Sequence, residues 1–193
     1  MEFGRVVMTV VLGIALAPLP APAQGAEGKT ATPKQARTGK APTHVEAYGK
    51  RIQVAPPGTM THLSKRPDVK KDLSVVGLRA PDAIRLNEPF QVSFYIRNLG
   101  AATVAQVSYK VALVPFAPPV ANWPVEALAT GVVHDVRAGR DVRIERRVAI
   151  KGSVPYIEAG AWPILAAVVD PDEVVAEDDE ENNGMAIILY PEP

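Results

Sequence analysis

A chain of 193 residues has room for one ordinary domain plus tails, and an apolar content of 47% is enough for a core. Nineteen prolines against fourteen glycines, with no sustained amphipathic helical pattern after residue 20, argue against a helical protein. The absence of cysteine excludes disulfides, thiolate metal sites, a cysteine nucleophile and a lipidated cysteine.

A net charge of zero conceals a polarity. Between Gln24 and Lys71 ten basic residues face three acidic ones, while from Asp72 onward ten basic face seventeen acidic. A basic tail therefore precedes an acidic domain. That order argues against a nucleic-acid-binding domain, because the folded part carries the wrong sign.

The amino terminus reads as a secretory signal. Arg5 supplies the positive region, Val6 to Ala17 is a twelve-residue apolar run, and Ala21-Pro22-Ala23 offers a cleavage site. An uncleaved anchor is the alternative, but the run falls short of the roughly 18 to 20 residues a spanning helix needs. Residues 1–23 are thus expected to be removed. No second hydrophobic span follows, so a periplasmic or secreted, non-lipidated protein is expected.

Residues 24–71 are rich in Gly, Thr, Pro, Lys and Gln, and are expected to form a flexible, disordered leader. Tyr48, Ile52, Val54 and Met60 are exceptions in it. Arg51-Ile52-Gln53-Val54 reads as a transient extended piece of linker, with a short strand or a partner-binding segment as alternatives. The positive charge keeps a tether solvated; it could also draw the leader to anionic envelope lipid, polysaccharide or an acidic neighbour, its own domain included.

The folded part is expected over 72–190. Leu73 to Leu78 reads as a strand, and Ile84 to Glu88 as a short bridge between turns. In Gln91 to Arg97 the residues Val92, Phe94 and Ile96 share one face, the pattern of a half-buried antiparallel strand. Val107, Tyr109, Val111 and Leu113 repeat it. Pro115 to Pro124 holds four prolines and cannot be a central strand, so Phe116, Val120 and Trp123 are expected to cap the core from a loop. A further strand is expected around Gly131-Val132-Val133. Over Arg140 to Ile150, Val142, Ile144, Val148 and Ile150 are in phase, with Arg146 on the inward phase. A bulge, an edge position or a stem laid along the core would accommodate it.

Two apolar runs, Ile164 to Val169 and Met185 to Tyr190, read as strands buried on both faces. Between them Asp170 to Asn183 reads D-P-D-E-V-V-A-E-D-D-E-E-N-N, with eight acidic residues of fourteen and no cation. Pro171 has no N–H for a ladder, and Asn182, Asn183 and Gly184 tolerate positive φ, so the acidic piece is an inter-strand connection. About seven strands and no long helix give an all-β antiparallel sandwich.

These residues carry a resemblance. Asp170, Glu177, Asp179, Glu180, Asn182 and Asn183, followed by a final apolar strand, resemble the closing signature of the CARDB domain, a cell-adhesion-related, immunoglobulin-like module found in bacteria. Asp72-Leu73-Ser74-Val75 resembles its opening strand, and Phe90 to Gly100 its second strand with an N-x-G turn. The resemblance covers roughly 72 to 190. The proline-rich piece near Pro115 to Pro124 is longer than the family usually shows. The resemblance implies an immunoglobulin-like fold and a non-catalytic role in adhesion, ligand presentation or scaffolding, with an envelope protein or polysaccharide as partner.

Candidate chemistry is confined to the connection. Asp170, Asp172, Asp178, Asp179 and Glu180 could supply oxygen ligands to calcium, though Val174 and Val175 fail the EF-hand spacing. The favoured reading tucks Val174-Val175 over the sandwich end, bonds Asn182 and Asn183 to backbone, and leaves the carboxylates solvated. No cofactor is otherwise expected. His44, His62 and His134 have no nucleophile or second ligand at a telling spacing, so no catalytic residue is assigned and the protein is read as a non-enzyme. An assembly factor that pairs an edge strand with a client, and a calcium-stabilised secreted module, are the alternative functions.

Overall fold

The computed structural model describes residues 40–60, 63, 65–66, 68–116, 124–151, 160–177 and 179–192. Among the described residues nine strands are formed: β1 (His44–Ala47), β2 (Lys50–Val54), β3 (Leu73–Arg79), β4 (Phe90–Asn98), β5 (Val104–Phe116), β6 (Glu126–Val136), β7 (Asp141–Val148), β8 (Trp162–Val169) and β9 (Gly184–Ile188). They make a six-stranded sheet in the order β1-β2-β9-β8-β5-β6 and a three-stranded sheet in the order β3-β4-β7.

The strands β3 to β9 are the seven that the alternating segments and apolar runs predict, and they form the immunoglobulin-like sandwich. Val92, Phe94 and Ile96 of β4 are fully buried and meet Tyr109, Val111 and Leu113 of β5 in one core between the sheets. Phe94 and Tyr109 pack edge to face, with ring centroids 5.6 Å apart. Arg146, on the inward phase of the edge strand β7, lays its guanidinium 5.2 Å from the Tyr109 ring centroid. A cation over an aromatic face resolves the break in that strand's pattern.

β8 explains the rest of the architecture. Leu165, Ala167 and Val169 face the main core, while Ile164, Ala166 and Val168 face the opposite way into a second cluster. An antiparallel sheet with one solvated face would leave that second set in water. The cover comes from the amino-terminal side: Val45, Ala47 and Ile52, on the β1–β2 hairpin, close over it. β2 joins the sheet edge in parallel to β9, with Gln53 opposite Met185 and Val54 opposite Ala186.

A flexible leader over 24–71 therefore does not describe residues 44–54. The short hairpin, turned at Tyr48 and Gly49 with φ of 53° and 74°, belongs to the larger sheet. Its alternation, Val45 and Ala47 against His44 and Glu46, spans too few residues to stand out in a polar stretch. Gly184 at the start of β9 is required by the same contact, since a Cβ there would lie 2.8 Å from Ile52 Cγ1.

Phe116 is partly buried against this second cluster. Val120 and Trp123, expected to cap the core, lie outside the described residues, as does the expected signal at 1–23.

Candidate functional site

The connection between β8 and β9 folds back over the sandwich end, and Asp170 starts the fold. Its backbone sits at φ 45°, its carboxylate is fully buried, and the two oxygens accept the N–H groups of Val174 at 3.1 Å and Val175 at 2.8 Å. One side chain thereby satisfies the donors of a turn that Pro171 prevents from continuing the ladder. The turn drives Val175 into the main core and leaves Val174 in solvent at 81% exposure. Only half of the Val174-Val175 pair tucks in.

Glu177 bridges the two ends of the domain. One carboxylate oxygen accepts the backbone N–H of Leu73 at the start of β3, and the other lies 3.3 Å from Asn183 Nδ2. Burial, reinforced by the nearby carboxylates of Glu180 and Asp170, pushes its pKa up to about 8 against the pull of those two donors. Asn183 is fully buried, gives its Nδ2 to Glu180 Oε2 at 2.7 Å, and accepts the Val169 N–H on its backbone oxygen. Asn182 donates to Asp72 Oδ1 at 2.7 Å. The asparagines thus bond carboxylates with their side chains, while their backbone oxygens accept the N–H groups of Val75 on β3 and Val169 on β8.

Cations from distant parts of the chain close the corner. Lys50, on β2, places Nζ 2.6 Å from Glu180 Oε2 and 3.6 Å from Glu173 Oε1. Arg66 Nη1 lies 3.5 Å from Asp72 and 3.4 Å from Asp179. Lys110, on β5, pairs with Asp172 at 3.0 Å and sits 4.7 Å from the Tyr48 ring centroid. The expectation that these carboxylates are simply solvated is corrected at Asp170, which is fully buried, and at Glu177 and Glu180, which are partly buried and hydrogen-bonded to the protein. Lys50 and Arg66, members of the basic leader, find their acidic neighbour in the leader's own domain.

The four calcium candidates among the described residues are accordingly engaged separately. Asp170 serves backbone amides, and Asp172, Asp179 and Glu180 each hold a different cation; Asp178 lies outside the described residues. Among the described residues no three His, Asp or Glu side chains converge in a metal-binding group. His44 and His134 are exposed, and His62 lies outside the described residues. The residues sequence reasoning missed are Lys50, Arg66, Lys110 and Asp72. For Lys50 and Arg66 the signal was the opposed charge of the leader and the domain; Lys110 and Asp72 had none of that kind.

Fold and corner define a class: an immunoglobulin-like sandwich whose last strand is introduced by an acid-and-asparagine knot tied back to its first. Residues 70–187 match the CARDB family model, and the chain belongs to that family, a non-enzymatic, adhesion-related kind of domain. A CARDB domain from Pyrococcus furiosus, crystallised in complex with di-metal ions, is 16% identical, with a TM-score of 0.50, over 68% of this chain and 95% of that one. The solution structure of the same Pyrococcus furiosus domain is also 16% identical, with a TM-score of 0.48, over 63% of this chain and 95% of that one. The likeness to the crystallised domain is one of fold. No curated protein matches the chain. The hairpin lies upstream of the matched residues.

Proposed function

We propose that this protein is an exported, non-catalytic module of the bacterial envelope that acts by contact with an envelope protein or polysaccharide, in adhesion, ligand presentation or scaffolding. Membership of the CARDB family carries the reading. The state of the corner supports it: its described carboxylates Asp170 and Glu180 are committed to holding the corner together, which is consistent with action by surface contact. The amino-terminal pattern of Arg5, the apolar run and Ala21-Pro22-Ala23 supports export.

Expression of the full-length chain in a bacterial host tests both parts. Export predicts a mature amino terminus at Gln24, recovered from the periplasm or the medium. Labelled protein should be retained by isolated envelopes, and pretreatment of those envelopes with protease or with glycan hydrolases separates the two partner classes. An uncleaved cytoplasmic product, or a cleaved one that no envelope fraction retains, would overturn the proposal.

A further inference from the structure

Four strands end a sheet here: β1 and β6 in the larger, β3 and β7 in the smaller. An edge strand presents a row of N–H and C=O groups that can pair with another strand, and folded proteins shorten, cover or charge such edges. Three of the four are treated in this way. β1 is only four residues long. β3 is covered by the segment that follows the hairpin, since Gly58 N–H donates to the Leu78 carbonyl at 2.7 Å and Gly77 N–H to that of Thr59 at 2.9 Å. β7 carries Asp141, Arg143, Glu145, Arg146 and Arg147 within eight residues.

β6 has none of these protections. It runs for eleven residues without proline, and Ala127 to Val133 carries no charge. Among the described residues β5 is its only partner strand, and no loop or turn backbone is bonded to it. Its centre is also bare. Gly131 lies opposite Tyr109, whose hydroxyl occupies the place a Cβ would take, so no guarding side chain fits there. Beside it Val132 is 47% exposed, one of the few large apolar residues left in water.

The geometry points to β6 as the seam of a homodimer, in which two copies of this chain pair their β6 strands antiparallel about a two-fold axis and continue the larger sheet from one copy into the other. The strand suits itself as partner. Outward-facing amides alternate along a strand, so self-pairing is allowed only in registers where one residue faces its own counterpart. A register shift between Val111 and Ala112 and the positive φ of 54° at Asp135 bound a regularly paired stretch from Ala129 to His134. With Val132 on the axis, the exposed valines of the two copies cover each other, Thr130 lies opposite His134 and Gly131 opposite Val133. No like charges meet, and directly opposed side chains stand about 5 Å apart at Cβ.

The chain has no cysteine, which makes the test clean. The full-length chain carrying Val132→Cys should form a disulfide-linked dimer under mild oxidation, whereas Arg147→Cys on β7 should remain largely unlinked. Sedimentation of the unaltered protein should show dimer growing with concentration. Val132→Lys should abolish that dimer while keeping the melting temperature that the unaltered protein shows at dilution, where it is monomeric. A protein that stays monomeric at every concentration overturns the proposal. So does a dimer that survives Val132→Lys, or cross-linking at Val132→Cys no faster than at Arg147→Cys.

Discussion

Lys50 Nζ lies 2.6 Å from Glu180 Oε2, so the second strand is bonded to the connection that precedes the ninth, and the lysine side chain is only 5% exposed. A buried ammonium is tolerable only with its partner in place, while Glu180 remains partly in water. Lys50→Met should therefore cost about 2 kcal/mol rather than the larger penalty of a fully buried broken pair. Glu180→Gln should cost more than an ordinary surface change, because it strands Lys50. The double variant should recover part of the loss, and a thermodynamic cycle from urea melts measures the coupling; strictly additive effects would show that the pair is not an energetic unit.

The hairpin is expected to be structural. Ile52 is fully buried against Ile164, Ala166 and Val168, and Gly184 gives it room. Ile52→Asp places an unpaired charge in that cluster and should destabilise the domain by about 3 kcal/mol or more. Removal of residues 24–54 should expose the outer face of β8 and the β9 edge together, giving a protein that binds a hydrophobic dye and aggregates. Unchanged melting after either alteration would mean that the hairpin is a passive attachment.

These two cases show why part of the architecture was legible in the sequence and part was not. The strands β4 and β5 could be read because five or more alternating residues set one face apart, and β8 because a fully apolar run demands burial on both sides. The demand was visible, but its answer was not. Val45, Ala47 and Ile52 are separated from Val168 by more than a hundred residues, and each is flanked by polar neighbours. The acids of the corner were equally plain, whereas their roles depended on contacts no local pattern encodes: Lys50 reaches Glu180 across 130 positions and Glu177 reaches Leu73 across 104.

Calcium should have little effect on stability. A cation that binds the native state raises stability by RT ln(1 + [L]/Kd), so an occupied site must move the melt. Here Asp170 is spent on the amides of Val174 and Val175, and Asp172, Asp179 and Glu180 are held by three different cations. Melting temperatures in millimolar calcium and in chelator should agree. A clear rise with calcium would mean that the corner rearranges to release its carboxylates from Lys50 and Arg66.

Glu177 should make the domain lose stability as pH rises. Its pKa is pushed from the ordinary 4.5 up to about 8 by burial and by Glu180 and Asp170. Between those values the folded protein keeps a proton that the unfolded chain has released. The native state thus binds more protons, and the linkage slope is negative: this group's contribution is full below pH 4.5 and is lost as pH climbs through 8. With allowance for the partial exposure of the side chain, the loss is on the order of 2 kcal/mol. A neutral amide in the same place should remove the effect, so Glu177→Gln should flatten the melting temperature between pH 5 and 8.5, while the unaltered protein declines by several degrees. The Gln side chain still offers an oxygen to the Leu73 N–H, which keeps the bridge between the domain's ends intact. A decline that persists unchanged in Glu177→Gln would assign the pH response to another group and leave Glu177 as an ordinary ionised carboxylate.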